Sequence, residues 1–553
     1  MKKKFLLLPR IGKSRLRQDY PVISQFSEYS ETSHPVTLKN LKPTCGFKIL
    51  IAILIFFSIA CERMLNIEPE DSFIREEFWK IKGDVESALI GSYDAIQACV
   101  FKFFVWGELR GELVYVETAD KNLSNLHRLD IIEENGYCKW DEIYSALNKV
   151  NTVIKFAPVA RENDNTFTNT ELNYYLGECL TLRALLYFYL ARTFYEFPYI
   201  TEPSESDQQK YSVEATLGTE VLDYLIEDLL KAKELVRKEF DNEFFEKEQI
   251  TSEDIKKAYK KGRVTKPVIW ALLTDIYLTK GEYEKAASCA DSIIENPQFS
   301  LVTTATWMSN FFPGNSTESI FELQYSNTFN EESDIATWFT NSFGKGDVQF
   351  RNVRNYNTST YKYWEGDDYD ALLTVDKRGI NGTFNQYNKP QIWKWIGKSN
   401  NGIDMRDNTS NDANWIFYRL ADIKLMKAEA LNRLGQTQDA VELVKEIRKR
   451  ATGITPAIEG GTINSFEEII LDERARELAA EGKRWFDLVR IAQRQNNYEV
   501  IGNRIADAYD PPERQTAWKA KVFKPLSWYL PVYKGELELN VMLKQNPYYA
   551  KAE

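Results

Sequence analysis

A mainly α-helical body with one loop-rich side carrying short β pieces is the fold class this sequence predicts. Three observations predict it. Apolar residues recur at three- and four-residue steps through 140–156, 172–190 and 219–240, the period of a helix with one buried stripe. A helix–glycine–helix plan occurs twice. The segment 300–415 is crowded with Asn, Gly, Ser, Thr and aromatic residues, a composition that suits long loops carried on a rigid scaffold. With 553 residues, 43% hydrophobic and 27% charged, the chain can bury a large core, and wholesale disorder is excluded.

The chain opens with an address. Residues 49–60 read ILIAILIFFSIA behind Lys42 and Lys48. As a helix, twelve residues span about 18 Å, short of a membrane core of about 30 Å. A basic flank, a short apolar core and small residues at its end read instead as a secretory signal, so 1–60 is assigned to a signal region. The apolar run starts far into the chain with no Met between it and Met1. Translation is therefore expected to start near Leu41, which sequencing the precursor would test. Ser58-Ile59-Ala60-Cys61 resembles a lipobox, in which the Cys61 thiolate takes a diacylglyceryl group and becomes the new N-terminus. Residues 61–80 then form a lipidated tether, and 81–553 the folded body.

Within that body, Leu172, Leu176, Cys179, Leu182, Leu186 and Leu190 make one stripe. In 267–297, Trp270, Leu273 and Tyr277 line a helix, Gly281 turns it, and Tyr283, Ala286, Ala290 and Ile293 line the next. In 418–452 the plan recurs as Ile423, Met426, Ala430 and Leu434, then Gly435, then Ala440, Val444, Ile447 and Ala451. In both, Gly precedes the first key Ala by five residues. The Gly allows a left-handed helix end and the Ala allows close approach, as in a tetratricopeptide-like hairpin. In the loop-rich stretch, Ser319–Leu323 reads as a strand, and the alternation of Trp393 and Trp395 predicts another with both rings on one face. The tail 496–553 reads as irregular.

Charge and residue usage narrow the chemistry. The net charge is −11, and residues 1–60 carry ten Lys or Arg against three Asp or Glu, a net +7, so the remainder carries −18. An acidic body argues against nucleic acid as a partner. With only His34 and His127, histidine-based catalysis and metal binding are starved, and neither metal nor cofactor is expected. Cys99, Cys138, Cys179 and Cys289 lack metal-site spacing and are expected to be mostly buried thiols, with room for one disulfide. Glu473, Glu477 and Glu481, four apart on one helix face, could suggest a carboxylate glycosidase. Their neighbours Arg474, Arg476 and Arg484 would hold them ionised, the wrong state for a general acid. No nucleophile elbow, P-loop or dinucleotide fingerprint occurs, so no catalytic residue is assigned.

Several blocks in order resemble the SusD/RagB family. They are Cys61 with Leu65-Asn66-Ile67-Glu68-Pro69, then Glu178 through Pro198, then Tyr418-Arg419-Leu420-Ala421-Asp422-Ile423 leading to Lys427-Ala428-Glu429-Ala430-Leu431-Asn432. Two more follow: Glu473-Arg474-Ala475-Arg476-Glu477-Leu478 with Glu481 through Arg490, and Leu530-Pro531-Val532 with Glu536, Asn540 and Gln545-Asn546-Pro547-Tyr548-Tyr549. The resemblance implies a single SusD-like domain with about four tetratricopeptide-like hairpins on one side and a loop-rich ligand-binding side. It also implies a lipoprotein of the cell outer membrane, facing outward, that binds nutrient oligosaccharides and delivers them to a TonB-dependent SusC-type transporter. Glu62-Arg63-Met64 departs from the acidic run that usually marks export to the outer face.

Candidate ligand residues come from aromatics and amides, since ring faces take the C–H face of a sugar and amides take its hydroxyls. One region is Trp106 to Asn122, with Tyr115, Asp120 and Asn122. The other is the loop-rich segment, with Trp307, Trp338, Tyr356, Tyr361, Tyr363, Trp364, Trp393 and Trp395. Rival readings are a peptide binder of the same family, a carboxylate glycoside hydrolase, and an intracellular tetratricopeptide scaffold.

Overall fold

The computed structural model describes residues 78–116, 118–205, 212–326, 333–339, 348–350, 376–379, 381–385, 391–406, 412–508 and 512–550. Cys61, Tyr356, Tyr361, Tyr363 and Trp364 lie outside them. The described body is mainly helical, as the sequence predicts. Its first half holds α1 (Lys82–Glu108), α2 (Lys121–His127), α3 (Asp141–Asn163), α4 (Asn169–Thr193), α5 (Gly218–Leu235), α6 (Asn242–Lys247) and α7 (Glu253–Gly262). Next come α8 (Lys266–Lys280), α9 (Tyr283–Ile294), α10 (Ile335–Phe339), α11 (Trp393–Ile396), α12 (Leu420–Arg433), α13 (Thr437–Thr452) and α14 (Ile463–Leu478). The chain ends with α15 (Arg484–Gln495), α16 (Glu499–Ala508), α17 (Pro512–Val522) and α18 (Lys534–Leu539).

Four helix pairs stack in succession. α1 packs on α3, α4 on α5, α8 on α9, and α12 on α13, while α3–α4, α5–α8 and α9–α12 join each pair to the next. α1 is long and apolar enough to cross a membrane by length and composition alone, but much of it is buried against these neighbours, as in a core helix. The local causes of the two anticipated hairpins are visible. Pro267 sits in the first turn of α8, where no backbone donor is needed. Gly281 and Gly435 adopt φ of +78° and +79°, ending the first helix of each pair. Ala286, Ala290, Ala440 and Ala451 are fully buried where the second helices approach. α4 opens with a reciprocal cap, in which the Glu171 amide donates to Thr168 Oγ1 (3.2 Å) and the Thr168 amide to Glu171 Oε2 (3.0 Å). Beyond Gly177 α4 is buried all round rather than along one stripe.

Strands are short and paired in twos, all antiparallel: β1 (Val114–Val116) with β5 (Val348–Phe350), β2 (Glu196–Pro198) with β3 (Ala215–Leu217), and β4 (Ser319–Leu323) with β6 (Trp415–Arg419). The strand expected at Ser319–Leu323 is β4.

Three sequence readings are corrected. Trp393 and Trp395 lie on the single turn of α11, not on a strand, and both are buried. The tail carries α16, α17 and α18 and is not irregular from residue 496. Glu481 lies past the end of α14, in a turn where Ala480 (φ +62°) and Gly482 (φ +71°) are left-handed. Cys99, Cys138, Cys179 and Cys289 are free thiols, the first three buried; burial pushes the Cys138 thiol up to about 12.

Candidate functional site

The two regions expected to carry ligand residues converge at the C-terminal half of α1. Phe101, half-buried on α1, lies 4.5 Å between ring centroids from Trp338 on α10. The Tyr137 ring also meets Phe101 edge-on at 5.8 Å. The backbone bridges the same regions. β1 packs on α2 while β5 packs on α10, and Tyr115 pairs with Gln349 between them.

The turn beside the rings is tightly specified. Asp120 caps α2, its Oδ1 accepting from the Asn122 and Leu123 amides at 2.8 and 3.2 Å. Its Oδ2 accepts from Tyr137 Oη at 2.8 Å. Asn135 Nδ2 donates to the Asn122 carbonyl at 2.8 Å, and Asn135 Oδ1 accepts from the Tyr137 amide at 3.0 Å. The Asn122 side chain is exposed above Gly136. Rings and a carboxamide are thus held side by side, one suited to apolar faces and the other to hydroxyls.

The remaining tryptophans form the support and not the surface, which corrects their listing as ligand contacts. Trp106 is fully buried and donates through Nε1 to the Tyr137 carbonyl at 2.9 Å, fixing the turn from behind. Trp307 is fully buried beneath Lys394, whose Nζ lies 5.4 Å from the ring centroid. Trp393 donates to the Ser399 carbonyl at 2.7 Å, and Trp395 to that of Ala480 at 2.8 Å while stacking on Trp415. Trp338 is 8% exposed, the one of these tryptophans with any appreciable surface. Local sequence gave no sign of Phe101 or Tyr137: each reads as an ordinary apolar position.

The loop-rich segment is fastened to the helices by a buried charge junction. Arg378 reaches Glu473 (2.6 Å) and Glu477 (3.0 Å); Arg419 reaches Glu477 (2.5 Å) and Glu481 (2.9 Å). Arg450 reaches Glu477 at 2.5 Å, and Lys394 reaches Glu481 at 2.9 Å. Burial alone would raise these carboxyls, but the surrounding cations win. Arg378, Arg448 and Arg476 hold Glu473 well below the usual carboxylate range; Arg450, Arg419 and Arg378 do the same for Glu477. The carboxylates are therefore ionised, as expected, though mostly by other partners. Arg474 pairs with Asp422 and Asp487, and Arg484 with Glu112. A permanently ionised, enclosed Glu cannot deliver a proton to a leaving group.

Glu108, at the end of α1, is the opposite case. It accepts from the Ala480, Gly482 and Lys483 amides at 2.9, 3.1 and 3.3 Å. With no cation in direct contact, burial pushes its carboxyl up to about 7. Among the described residues, no cluster of His, Cys, Asp or Glu could hold a metal ion.

Stacked helix pairs with a ring-and-amide face built where loops cross them define a helical-repeat protein that presents a binding surface. The SusD family model matches residues 274–549, and a second model, described as starch-binding associating with outer membrane, matches residues 85–252. SusD-like protein P38 of Formosa agariphila is 29% identical over 512 residues, spanning 84% of this chain and 93% of that protein. Surface glycan-binding protein A from Bacteroides uniformis superposes with a TM-score of 0.65 at 21% identity, covering 84% of this chain and 99% of its own. A laminarin-binding SusD-like protein superposes at 0.60 and 20% identity, covering 85% and 99%. The chain belongs to the SusD family.

Proposed function

We propose that this protein is a non-catalytic glycan receptor that captures neutral oligosaccharides and passes them to a TonB-dependent SusC-type transporter in the outer membrane. The observation that carries the reading is the convergence of Phe101, Trp338 and Tyr137 beside the Asn122 carboxamide. Ring faces supply sequence-tolerant stacking, and the amide orients a hydroxyl, so affinity is moderate and release is fast. Relatives named for starch, laminarin and surface glycans support carbohydrate over peptide. Tyr115, Tyr361 and Trp364 remain proposed ligand contacts on residue type alone, and Cys61 is the proposed lipid anchor, facing outward.

Calorimetry of the mature protein against neutral glucan hexasaccharides and a peptide library tests the reading. Glycan binding that Phe101→Ala weakens about tenfold, the scale of one lost ring contact in a solvent-excluding site, supports it. Binding of peptides alone would replace it with the peptide-receptor alternative. Glycan turnover abolished by a single carboxylate replacement would replace it with the glycosidase. Absence of palmitate incorporation at Cys61 would remove the anchor, and failure to co-purify a barrel transporter from membranes would remove the hand-over.

A further inference from the structure

A cavity of ≈ 510 Å³ lies along α1 next to the ring cluster, and nothing in the reading above uses it. Its α1 wall is Ile90, Tyr93, Asp94 and Gln97, the helical face that Phe101 continues one turn further on. α7 forms the facing wall, and the turns at 313–315, 323–326 and 412–414 form the floor. The volume falls inside the range of about 300–1,000 Å³ usual for small-ligand sites.

Four carboxamides dominate its polar surface and tie one another in place. Gln97 Nε2 donates to the Gln324 carbonyl at 2.8 Å. Asn315 and Gln324 exchange a reciprocal pair, each 2.9 Å. Asn414 Nδ2 donates to the buried Glu322 at 2.9 Å, and Asn414 Oδ1 accepts from the Tyr325 amide at 3.0 Å. Gly262 is what lets Gln324 lie against α7, since a Cβ there would fall 2.4 Å from Gln324 Cγ. Gln324 is filled by further bonds to the Glu322 carbonyl (3.1 Å) and from Asn414 Nδ2 (3.3 Å), whereas Gln97 and Asn315 retain donor and acceptor capacity, which matches a hydroxyl that both gives and takes. Tyr259 also lines the cavity. It is 4% exposed, and its Oη makes no hydrogen bond among the described residues. An unpaired buried hydroxyl costs free energy unless a ligand pairs it.

The charges select against anions. Among the described lining residues the one cation, Arg263, is spent on Glu178 through two 2.7 Å bonds. Asp94 stands exposed at the rim, where Asp254 pairs with Lys257 at 3.8 Å, and Asp412 is taken by Arg406. A carboxylated or sulfated sugar would meet the Asp94 carboxylate, while Arg263, Lys257 and Arg406 are each already paired with a carboxylate.

We propose that this cavity is a second carbohydrate subsite that takes the end residues of a neutral oligosaccharide whose body lies across Phe101 and Trp338. The proposal rests on the glycan-receptor reading but can fail separately from it. The test is calorimetry with laminarihexaose, maltohexaose and a polyuronate hexasaccharide against four proteins: wild type, Ala258→Trp, which fills the cavity from α7, Gln97→Leu, which removes one amide at constant shape, and Phe101→Ala. Each cavity variant is expected to weaken the neutral hexasaccharide that binds by roughly tenfold, the scale of one or two lost hydrogen bonds. The polyuronate is expected to bind more weakly than the neutral probe throughout. If Ala258→Trp does not fold, Gln97→Leu carries the test alone. Unchanged affinity in the cavity variants, with a loss in Phe101→Ala, overturns the subsite and leaves the ring platform standing. The reverse pattern keeps the subsite and overturns the platform. Equal or tighter polyuronate binding overturns the neutral class, and no binding of either neutral probe to wild type overturns both.

Discussion

Two regions of this molecule use polar side chains in opposite ways. At the junction around Glu477, three guanidinium groups close on one carboxylate and both partners are fully enclosed. Along the cavity, neutral amides hold one another through bonds of 2.8–2.9 Å and stay open to solvent on one side. A buried charge pair is unforgiving, because removing one partner strands the other, which makes it a good fixed joint. A neutral amide exchanges partners at little net cost, which makes it a good reception surface. The fold places ions where the loop-rich segment must not move relative to the helices, and amides where a ligand must come and go.

The largest effect should follow from breaking the joint. Glu477→Ala removes the carboxylate shared by Arg378, Arg419 and Arg450, leaving Arg450 only the 3.6 Å contact to Glu318 and the buried junction one negative charge short, and is expected to cost about 3–5 kcal/mol in urea unfolding; a loss below about 1 kcal/mol would mean that packing alone holds the junction. The junction also sets the acid limb of stability. Glu473, Glu477 and Glu481 have folded-state values depressed below the ordinary 4.5, so their contribution is present above that value and is lost as pH falls through the depressed ones. Glu108 runs the other way. Raised from 4.5 to about 7, it contributes fully below pH 4.5 and loses that contribution as pH rises through about 7. Melting temperature against pH should therefore fall on both sides of a plateau, and Glu477→Ala should flatten the acid side only. Next in size is Gly107→Ala. Its Cβ would fall 1.8 Å from the Gly482 carbonyl oxygen, a backbone atom that cannot swing aside. A loss of about 1–3 kcal/mol is expected, and Glu108 should lose its grip on the Ala480–Lys483 turn with it.

How much of this was legible in the sequence depended on range. The hairpins at 267–297 and 418–452 could be read because a left-handed Gly and a buried Ala act within one turn of their neighbours. The ionised state of the α14 carboxylates could be read too, but not its cause. Arg450, Arg419 and Arg378 lie 27, 58 and 99 residues from Glu477, whereas helix spacing sees only a turn or so. The Trp393–Trp395 alternation misled because three residues cannot separate a period of two from one turn of helix. Gly397 folds back so closely that a Cβ would meet the Trp393 ring at 2.3 Å. Asn122 and Trp338 were picked out by residue type, and the chain brings their regions together. Phe101 and Gln97 were not picked out, because on a buried helix an aromatic and an amide four apart look like any other core edge.

The smallest expected effect sharpens the contrast most. Tyr259→Phe removes one oxygen that makes no hydrogen bond among the described residues and leaves the ring in its cluster with Phe240 and Phe245. In a region built for stability, such a deletion should cost free energy. Here it should leave the unfolding free energy unchanged or raise it by up to about 1 kcal/mol, since a desolvated hydroxyl is relieved. The same substitution should weaken the neutral hexasaccharide by a few fold, because a ligand hydroxyl loses its partner. Stability and affinity moving in opposite directions would mark Tyr259 as a group the fold tolerates for the sake of binding. Stability and affinity falling together would place it with the Glu477 junction, as one more part of the scaffold.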